Sequence, residues 1–416
     1  MPLARVSQVL EGSYVFSRRI PWTLSENPLA AELSGMRLRK EMILDLSVSN
    51  PTEVGLEETA YSGEMFEYVD LETYTPTARG LIQCREAISR YYADDGKHVP
   101  PDNVHCTSGS SEAYAFLFKL LCNPGDSVLT PLPAYPLFEH LAALDGVRIR
   151  PYNLRRSPLG RWRIDVASLD HAYNESSRAV IVVNPTNPLG EYLDPDDMRQ
   201  LRSFCCQRNL PLIVDEVFWD FDLGGRDQSV RTVEEQAVLC FTLNGLSKLA
   251  ALPQLKLAWI VTSGPSTMLE DALVRLDFIA DAYLSVGTPV MQAAEALLAR
   301  RGPVQQCIRE RCKHNLGTLC ELLVGCDTLL ACKPKGGWSV VLDISRYADE
   351  ESLALRLLRD QAVFVYPGYF FDFPVGKHLV LSLLPEPQVF AEGVRRLLVF
   401  LQRMDGLAVG TNSSTS

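Results

Sequence analysis

The sequence lacks the features that define several large classes of protein. No stretch approaches the roughly 18 unbroken apolar residues that a membrane-spanning helix requires. The N-terminus has neither the long apolar region nor the cleavage site of a secretory signal. Positive charge is scarce, and the net charge of −11 disfavours a nucleic-acid partner. We therefore expect a cytoplasmic protein that binds neither membranes nor nucleic acids.

Motifs for metals and nucleotides are also missing. The 11 cysteines are odd in number and show no paired Cys-x-x-Cys spacing, so we expect no disulfide framework, no metal site and a reducing compartment. No G-x-G-x-x-G follows the first strand, and no G-x-x-x-x-G-K-[ST] occurs. These absences disfavour a dinucleotide oxidoreductase, which the α/β pattern alone would allow.

An alternation of apolar strands and helical segments dominates the chain beyond Val104. Helical periodicity, as in Asp196–Gln207, separates many of the strands and predicts an α/β fold with a mostly parallel sheet between helices. The predicted strands of this sheet are Ser127–Thr130, Val147–Pro151, Ala179–Val183, Pro211–Asp215, Val238–Leu243 and Leu257–Thr262.

The 416 residues have room for two or three domains. We expect an N-terminal arm and helix that packs on the small domain, then a large cofactor-binding domain, a small α+β domain and a disordered tail, at residues 1–45, 46–290, 291–405 and 406–416, respectively. Strands of the small domain are predicted near Gly337–Leu342, Val363–Tyr366 and Leu379–Leu383.

Lys248 is the first candidate for chemistry. It follows a predicted buried strand and lies among small and apolar residues, in the stretch FTLNGLSKLAALPQLKLAW. Desolvation lowers the pKa of an amine and frees its lone pair, as a lysine that forms a Schiff base requires. A lysine taken alone is more often a surface group, so this hypothesis depends on its neighbours.

The two preceding strands also end in polar groups. Asp215 closes one strand, and Asn187 lies in the turn after the other. Each has an ordinary structural explanation, as a cap or a turn residue. In open α/β sheets, however, ligands bind beyond the carboxyl ends of the strands. A pyridinium ring would explain an amide, a carboxylate and a lysine at three consecutive strand ends, because it needs partners for its phenolic oxygen, ring nitrogen and aldehyde.

An anion site is predicted at the N-terminus of a helix that follows an earlier strand end. Gly109, Ser110 and Ser111 open the predicted helix Ala113–Leu121, where free N–H groups and hydroxyls favour a phosphate. The same residues fit an ordinary capping box, which is compatible with anion binding. Tyr135, one strand further on, suits either stacking on a ring or core packing.

At these positions the chain resembles the class I/II aminotransferase family of pyridoxal-phosphate enzymes, which has the fold of aspartate aminotransferase. The resemblance covers about residues 20–400 and is closest to bacterial alanine aminotransferase-like proteins. Beyond the motifs above, Tyr74 with Gly80-Leu81 and Arg85–Ile88 is similar to a conserved segment of that family. The resemblance to this family implies a seven-stranded-type sheet and a homodimer with shared active sites. The substrates would be small molecules, an amino acid and a 2-oxo acid.

The resemblance also assigns roles to residues. Lys248 would hold pyridoxal 5'-phosphate as a Schiff base and later act as the general base, while Asp215 would keep the ring nitrogen protonated. Asn187 would bind the ring oxygen. The further cofactor-binding residues would be Tyr135, Gly109, Ser110, Ser111, Lys256 and Tyr74, the last reaching the neighbouring subunit's phosphate. The substrate-binding residues would be Ser49, Asn50 and Asn187.

Three residues depart from the family pattern. Lys256 replaces an arginine that contacts the phosphate, and Phe218 replaces a tyrosine that shares the ring oxygen. Val380 stands where the family has the arginine for the substrate α-carboxylate. Either the alignment is shifted at this point, or the substrate has no carboxylate there, or another residue binds it; Arg79 is a possible replacement, although a loop arginine is more often a surface group.

Two further alternatives remain. A lyase, decarboxylase or racemase of the same fold would share Lys248, and no motif separates these activities from transamination. A non-catalytic regulator would carry a basic helix-turn-helix domain ahead of this fold, whereas the similarity starts near residue 20, so we expect an enzyme.

Overall fold

The computed structural model describes residues 17, 19–20, 27–56, 63–67, 69–70, 72–157, 160–226, 229–325, 329–347 and 349–411. The strands are β1 (Leu44–Asp45), β2 (Val104–Thr107), β3 (Ser127–Leu132), β4 (Arg148–Arg156), β5 (Trp162–Ile164), β6 (Ser177–Val183), β7 (Leu212–Asp215), β8 (Cys240–Gly245), β9 (Ala258–Ser263), β10 (Leu330–Cys332), β11 (Ser339–Asp343), β12 (Val363–Phe364), β13 (Tyr366–Pro367) and β14 (His378–Ser382).

Helices alternate with these strands along much of the chain. They are α1 (Pro28–Leu38), α2 (Ile82–Ala93), α3 (Ser110–Leu121), α4 (Leu137–Leu144), α5 (Val166–Ala172), α6 (Pro195–Arg208), α7 (Leu246–Leu249), α8 (Ser266–Asp281), α9 (Thr288–Gln292), α10 (Ala294–Ala299), α11 (Arg301–Leu322), α12 (Glu350–Gln361) and α13 (Pro387–Thr411). No helix in the described ranges is long and apolar enough to cross a bilayer.

The chain forms two compact units whose boundaries differ from the expected ones. The first unit comprises Met1–Gly55, Glu310–Pro334 and Trp338–Ser416, and the second comprises Leu56–Arg309 with Lys335–Gly337. The N-terminal segment of the first unit extends to Gly55 and not to residue 45, and Leu46 explains why the chain beyond residue 45 belongs to this unit. Its N–H donates to Phe364 O (2.9 Å), its carbonyl accepts from Ser382 N (2.6 Å), and its side chain is fully buried.

The second unit extends to Arg309 and not to residue 290, and this difference follows from hydrophobic packing. Ala294 and Leu297 of α10 belong to the same buried cluster as Ile88 of α2. Removing these side chains from water stabilises the packing of α10 within the second unit, since burial of a leucine or isoleucine side chain contributes about 1.5–3 kcal/mol.

An eight-stranded sheet in the order β2-β9-β8-β7-β6-β3-β4-β5 forms the centre of the second unit. Strands β8, β7, β6, β3 and β4 pair in parallel, and β9 and β5 are antiparallel to their neighbours. The α/β class and the mostly parallel sheet are thus confirmed, while the strands β2 and β5 were not predicted. Trp259 and Val261 face one buried cluster and Ile260 the other, so apolar side chains cover both faces.

The first unit is built from the two ends of the chain. Its antiparallel sheet has the order β10-β11-β14-β13, and β1 pairs in parallel with β12. Helix α1 packs against α12. Helix α13 extends to Thr411, into the segment 406–416 that was expected to be disordered, and residues 412–416 lie outside the described ranges.

Gly245, the last residue of β8, is a close-approach position. A Cβ atom there would lie 2.7 Å from Ala258 Cβ and 2.9 Å from Ala258 Cα on β9. We expect Gly245→Ala to lower the free energy of unfolding by about 1–3 kcal/mol, because β8 and β9 must move apart. Urea unfolding measures this change.

Gly317→Ala is the matched control. Gly317 lies inside α11, and nothing is within 4 Å of the Cβ position. Helix propensity predicts a gain of up to about 1 kcal/mol for this variant. Equal unfolding midpoints for the two variants would contradict the close approach at Gly245.

Candidate active site

The parallel pairing of three strands brings three candidate segments to one edge of the sheet. Val183 of β6 is paired with Asp215 of β7, and Asp215 is paired with Leu243 of β8. Beyond β6, Asn184 N donates to Asp215 O at 2.8 Å. The turn that contains Asn187, the Asp215 carboxylate and the segment that contains Lys248 therefore follow neighbouring strand ends.

Asp215 is a buried carboxyl group with two hydrogen-bond donors. Tyr114 Oη donates to its Oδ2 at 3.2 Å, and Val217 N donates to its Oδ1 at 3.1 Å. Burial raises the pKa of Asp215 to about 6, although these two donors and the charge of Lys248 lower it. Sequence reasoning missed Tyr114, whose only signal is a hydroxyl on the buried face of an apolar helix.

Lys248 lies in the short helix α7, between the fully buried Leu246 and Leu249. Desolvation lowers the pKa of Lys248 from 10.5 to about 8, against the opposing effect of Asp215. Its Nζ is 5.9 Å from the ring centroid of Phe218, and part of the side chain remains accessible. A fraction of this amine is consequently neutral, and nucleophilic, near neutral pH.

The first turn of α3 has the properties of an anion site. The N–H groups of Gly109, Ser110 and Ser111 and both serine hydroxyls have no acceptor or donor in the described part of the chain. A Cβ atom on Gly109 would lie 3.3 Å from Lys256 Nζ, so this ammonium group lies over the glycine. Helix N-termini with nearby cations favour anions.

Glu112 fixes the shape of this turn. Its Oε2 accepts from Ser108 N at 2.7 Å and from Ser285 Oγ at 2.5 Å. Glu112 thus reaches back to the residue before the N-cap Gly109, which has no side chain for the reciprocal bond of a capping box. The expected capping box is therefore wrong, because the N-cap position is a glycine.

Three other candidates lie in the second unit. Tyr135 is 48% exposed, which disfavours plain core packing and leaves its ring accessible. The Asn187 side chain is half-buried and has no hydrogen-bond partner in the ranges that the structure describes. Tyr74 is 72% exposed.

The remaining candidates lie in the first unit. Asn50 caps a short turn: its Oδ1 accepts from Thr52 N at 3.1 Å and its Nδ2 donates to Glu53 at 2.8 Å. Ser49 precedes it on the same loop. Val380 lies in the middle of β14 and is buried between Val341 and Tyr366, so no cation is present at that position.

Arg79 is not a replacement for the missing cation. Its Nε and Nη2 donate to both carboxylate oxygens of Asp277, at 2.6 and 2.5 Å, and its Nη1 donates to Asp102 O. A bidentate pair of this kind occupies the planar fork that would bind a carboxylate. The possible substrate role of Arg79 was therefore wrong.

The donor set fits a phosphorylated pyridine aldehyde. An anion cup, a carboxyl group, an amide and an amine of lowered pKa match the four polar groups of such a cofactor. These residues arise from three consecutive strands and one helix N-terminus. All of these cofactor-binding candidates lie in the second unit.

The burial of Lys248 has a consequence for stability. Since the folded-state pKa is depressed, the folded protein binds fewer protons than the unfolded chain between about pH 8 and 10.5. The penalty is complete below pH 8 and disappears as the pH rises through this window. Lys248→Met should therefore stabilise the cofactor-free protein by up to about 3 kcal/mol at pH 7 and by much less above pH 10.

Urea unfolding of the cofactor-free protein at several pH values measures this difference. The exposed Lys377, changed to Met, is the control and should alter stability by less than about 0.5 kcal/mol. A stability difference for Lys248→Met that stays constant with pH would show that the amine is solvated.

Comparison with known proteins identifies relatives along nearly the whole chain. The glutamate–pyruvate aminotransferase AlaA of Haemophilus influenzae is 25% identical over 381 residues, which cover 88% of this chain and 93% of that protein. The human tyrosine aminotransferase is 24% identical and covers 92% and 87% of the two chains.

Comparison with solved structures also finds aminotransferases. The structure of an alanine aminotransferase from Pyrococcus furiosus matches with a TM-score of 0.80 at 21% identity, covering 90% of this chain and 95% of that one. The sequence profile described as "Aminotransferase class I and II" matches residues 44–387. With most of the chain inside this match, the protein belongs to the class I and II aminotransferase family and is an enzyme of amino-group transfer.

Proposed function

We propose that the protein is a cytoplasmic, homodimeric transaminase that uses pyridoxal 5'-phosphate bound covalently to Lys248. The observation that carries the proposal is an amine whose pKa is lowered to about 8, in the short helix that follows β8, the strand paired with the one that ends in the buried Asp215. An amine that is partly neutral can attack an aldehyde, whereas a solvated lysine is almost fully protonated.

Named residues of the second unit would hold the cofactor. The phosphate would bind at Gly109, Ser110 and Ser111, with Lys256 neutralising its charge. Asp215 would pair with the ring nitrogen, which explains a carboxylate buried with few donors of its own. Asn187 would donate to the ring oxygen. The exposed Tyr135 would lie against the ring, and the exposed Tyr74 would reach the partner subunit's site.

The cofactor, when bound, supplies an electron sink for charge developing at the substrate Cα. The protein supplies the proton transfer. Once a substrate amine has taken its place on the cofactor, Lys248 would be free to take the proton from the substrate Cα and to deliver it to the carbon on the other side of the substrate nitrogen. A pKa near 8 suits both directions at neutral pH. Asp215 would stay ionised beside the ring nitrogen, held so by Tyr114 and Val217.

Substrate recognition is the part of the proposed function in which this chain departs most from the family pattern. The family acts on small-molecule amino acids and 2-oxo acids, and Ser49 and Asn50 are the residues that we propose for their binding. Val380 offers no charge to a carboxylate. The donors tested should therefore include glutamate, alanine, tyrosine and simple amines.

The Lys248→Ala variant tests the covalent assignment. We expect it to lose both the visible absorbance of the bound cofactor and turnover, while the fold, measured by circular dichroism, is unchanged. The visible absorbance of the wild type should shift when the correct donor is added. Turnover retained by Lys248→Ala would exclude the assignment, and turnover without a 2-oxo acid would favour a lyase, decarboxylase or racemase.

Tyr114→Phe tests the role of the Asp215 carboxylate. Losing a hydrogen bond to a charged group should raise the pKa of Asp215 and move the acid limb of the pH–rate profile upward by roughly one pH unit.

Tyr152→Phe is the matched control for that variant. It removes an equally buried hydroxyl, which donates to the backbone at Ile181 O (2.9 Å). Its pH profile should be unchanged. An unshifted acid limb for Tyr114→Phe would mean that Tyr114 only fills space.

A further inference from the structure

The hydroxyl group of Tyr91 uses its full hydrogen-bonding capacity in the interior of the second unit. It donates to Asp220 Oδ2 at 2.7 Å and accepts from Arg231 Nη2 at 2.6 Å and from Asn244 Nδ2 at 3.1 Å. A phenolic hydroxyl has one donor and two acceptor positions, so all three are occupied. Tyr91 is itself 3% exposed.

Arg231 anchors this arrangement. Its side chain is 1% exposed, its Nε donates to Glu216 at 3.1 Å and its Nη1 donates to Asp95 at 2.8 Å. The guanidinium carbon also lies 4.4 Å from the Tyr92 ring centroid and 5.2 Å from that of Trp219. A cation enclosed in this way has a fixed position, because any movement would leave buried charges unpaired.

Both ends of the network are next to candidate site residues. Glu216 directly follows Asp215, and Asn244 is four residues before Lys248. The Asn244 amide bridges two groups: its Nδ2 donates to Tyr91 and its Oδ1 accepts from Gly245 N at 2.7 Å. The Tyr91 hydroxyl therefore links the segment after β7 to the turn from β8 into α7.

We propose that Tyr91 is a positioning residue that acts through Asn244 to hold the α7 turn, and with it Lys248, in place beside Asp215. The inference rests on the proposed role of Lys248. Tyr91 bonds to neither Lys248 nor Asp215, so its effect passes through the backbone of residues 244–248. Without the hydroxyl, Asn244, Asp220 and Arg231 would each lose a partner in a buried site.

Tyr91→Phe in the cofactor-free protein is the first test. We expect amide hydrogen exchange in the segment 244–252, which includes the bonded N–H groups of Leu246 and Ala250, to rise about tenfold. Tyr92→Phe is the control. It removes a hydroxyl of equal burial that accepts from Trp259 Nε1 (3.0 Å) and should leave exchange in this segment unchanged.

The holoenzyme gives the second readout. For Tyr91→Phe, kcat should fall about tenfold with little change in KM, because substrate contacts are untouched while Lys248 is misplaced. Asn244→Ala should cause a similar loss, and the double variant should lose no more than either single one.

Unchanged exchange in 244–252, equal effects of the two tyrosine variants, or additive losses with Asn244→Ala would each overturn the proposal. The exchange experiment needs no cofactor. A negative exchange result would therefore overturn the role of Tyr91 without bearing on the proposed function. The Lys248→Ala variant tests the proposed function separately.

Discussion

Parallel hydrogen bonding between β6, β7 and β8 is the constraint on which the site depends. Parallel strands end at the same edge, so residues that are 28 or more positions apart in the chain become neighbours. The register aligns Asp215 with Val183 on one side and Leu243 on the other. Each polar segment then begins where a buried strand stops.

Asp215 and Glu216 show how adjacent carboxyl groups can be treated in opposite ways. Side chains alternate along an extended chain, so the first contacts Tyr114 of α3 and the second Arg231. Glu216 is fully paired with a cation and with Thr232. Burial raises the pKa of both carboxyl groups, but in the described part of the chain Asp215 accepts from two neutral donors and retains the capacity to bind a cationic group. Glu216 therefore stabilises the fold through its ion pair, whereas Asp215 can still accept a hydrogen bond from a bound ligand.

The sequence predicted those parts of the fold that local pattern controls. Buried strands such as β6 and β7 are apolar runs and were found, whereas β2 contains His105 and Thr107 and β5 has only three residues, so neither has a clear period. The predicted roles of Lys248 and Asp215 relied on order along the chain and on resemblance.

Long-range contacts were beyond that reasoning. Tyr114 meets Asp215 across 101 residues of sequence, and Arg79 meets Asp277 across 198. Nothing near Arg79 in the sequence indicates that its guanidinium is occupied. The two compact units differ from the expected domain boundaries for a similar reason, because Leu46 and α10 are assigned by packing against distant elements.

The connection between β8 and β9 holds two non-glycine residues in the left-handed region, Ala251 at φ 54° and Lys256 at φ 52°. Each costs roughly 1 kcal/mol or more relative to ordinary backbone. Local propensity thus opposes the conformation of the loop that contains Lys248. The segment therefore depends on the sheet around it for its shape, so an unfolded chain contains the Lys248 amine but not the environment that lowers its pKa.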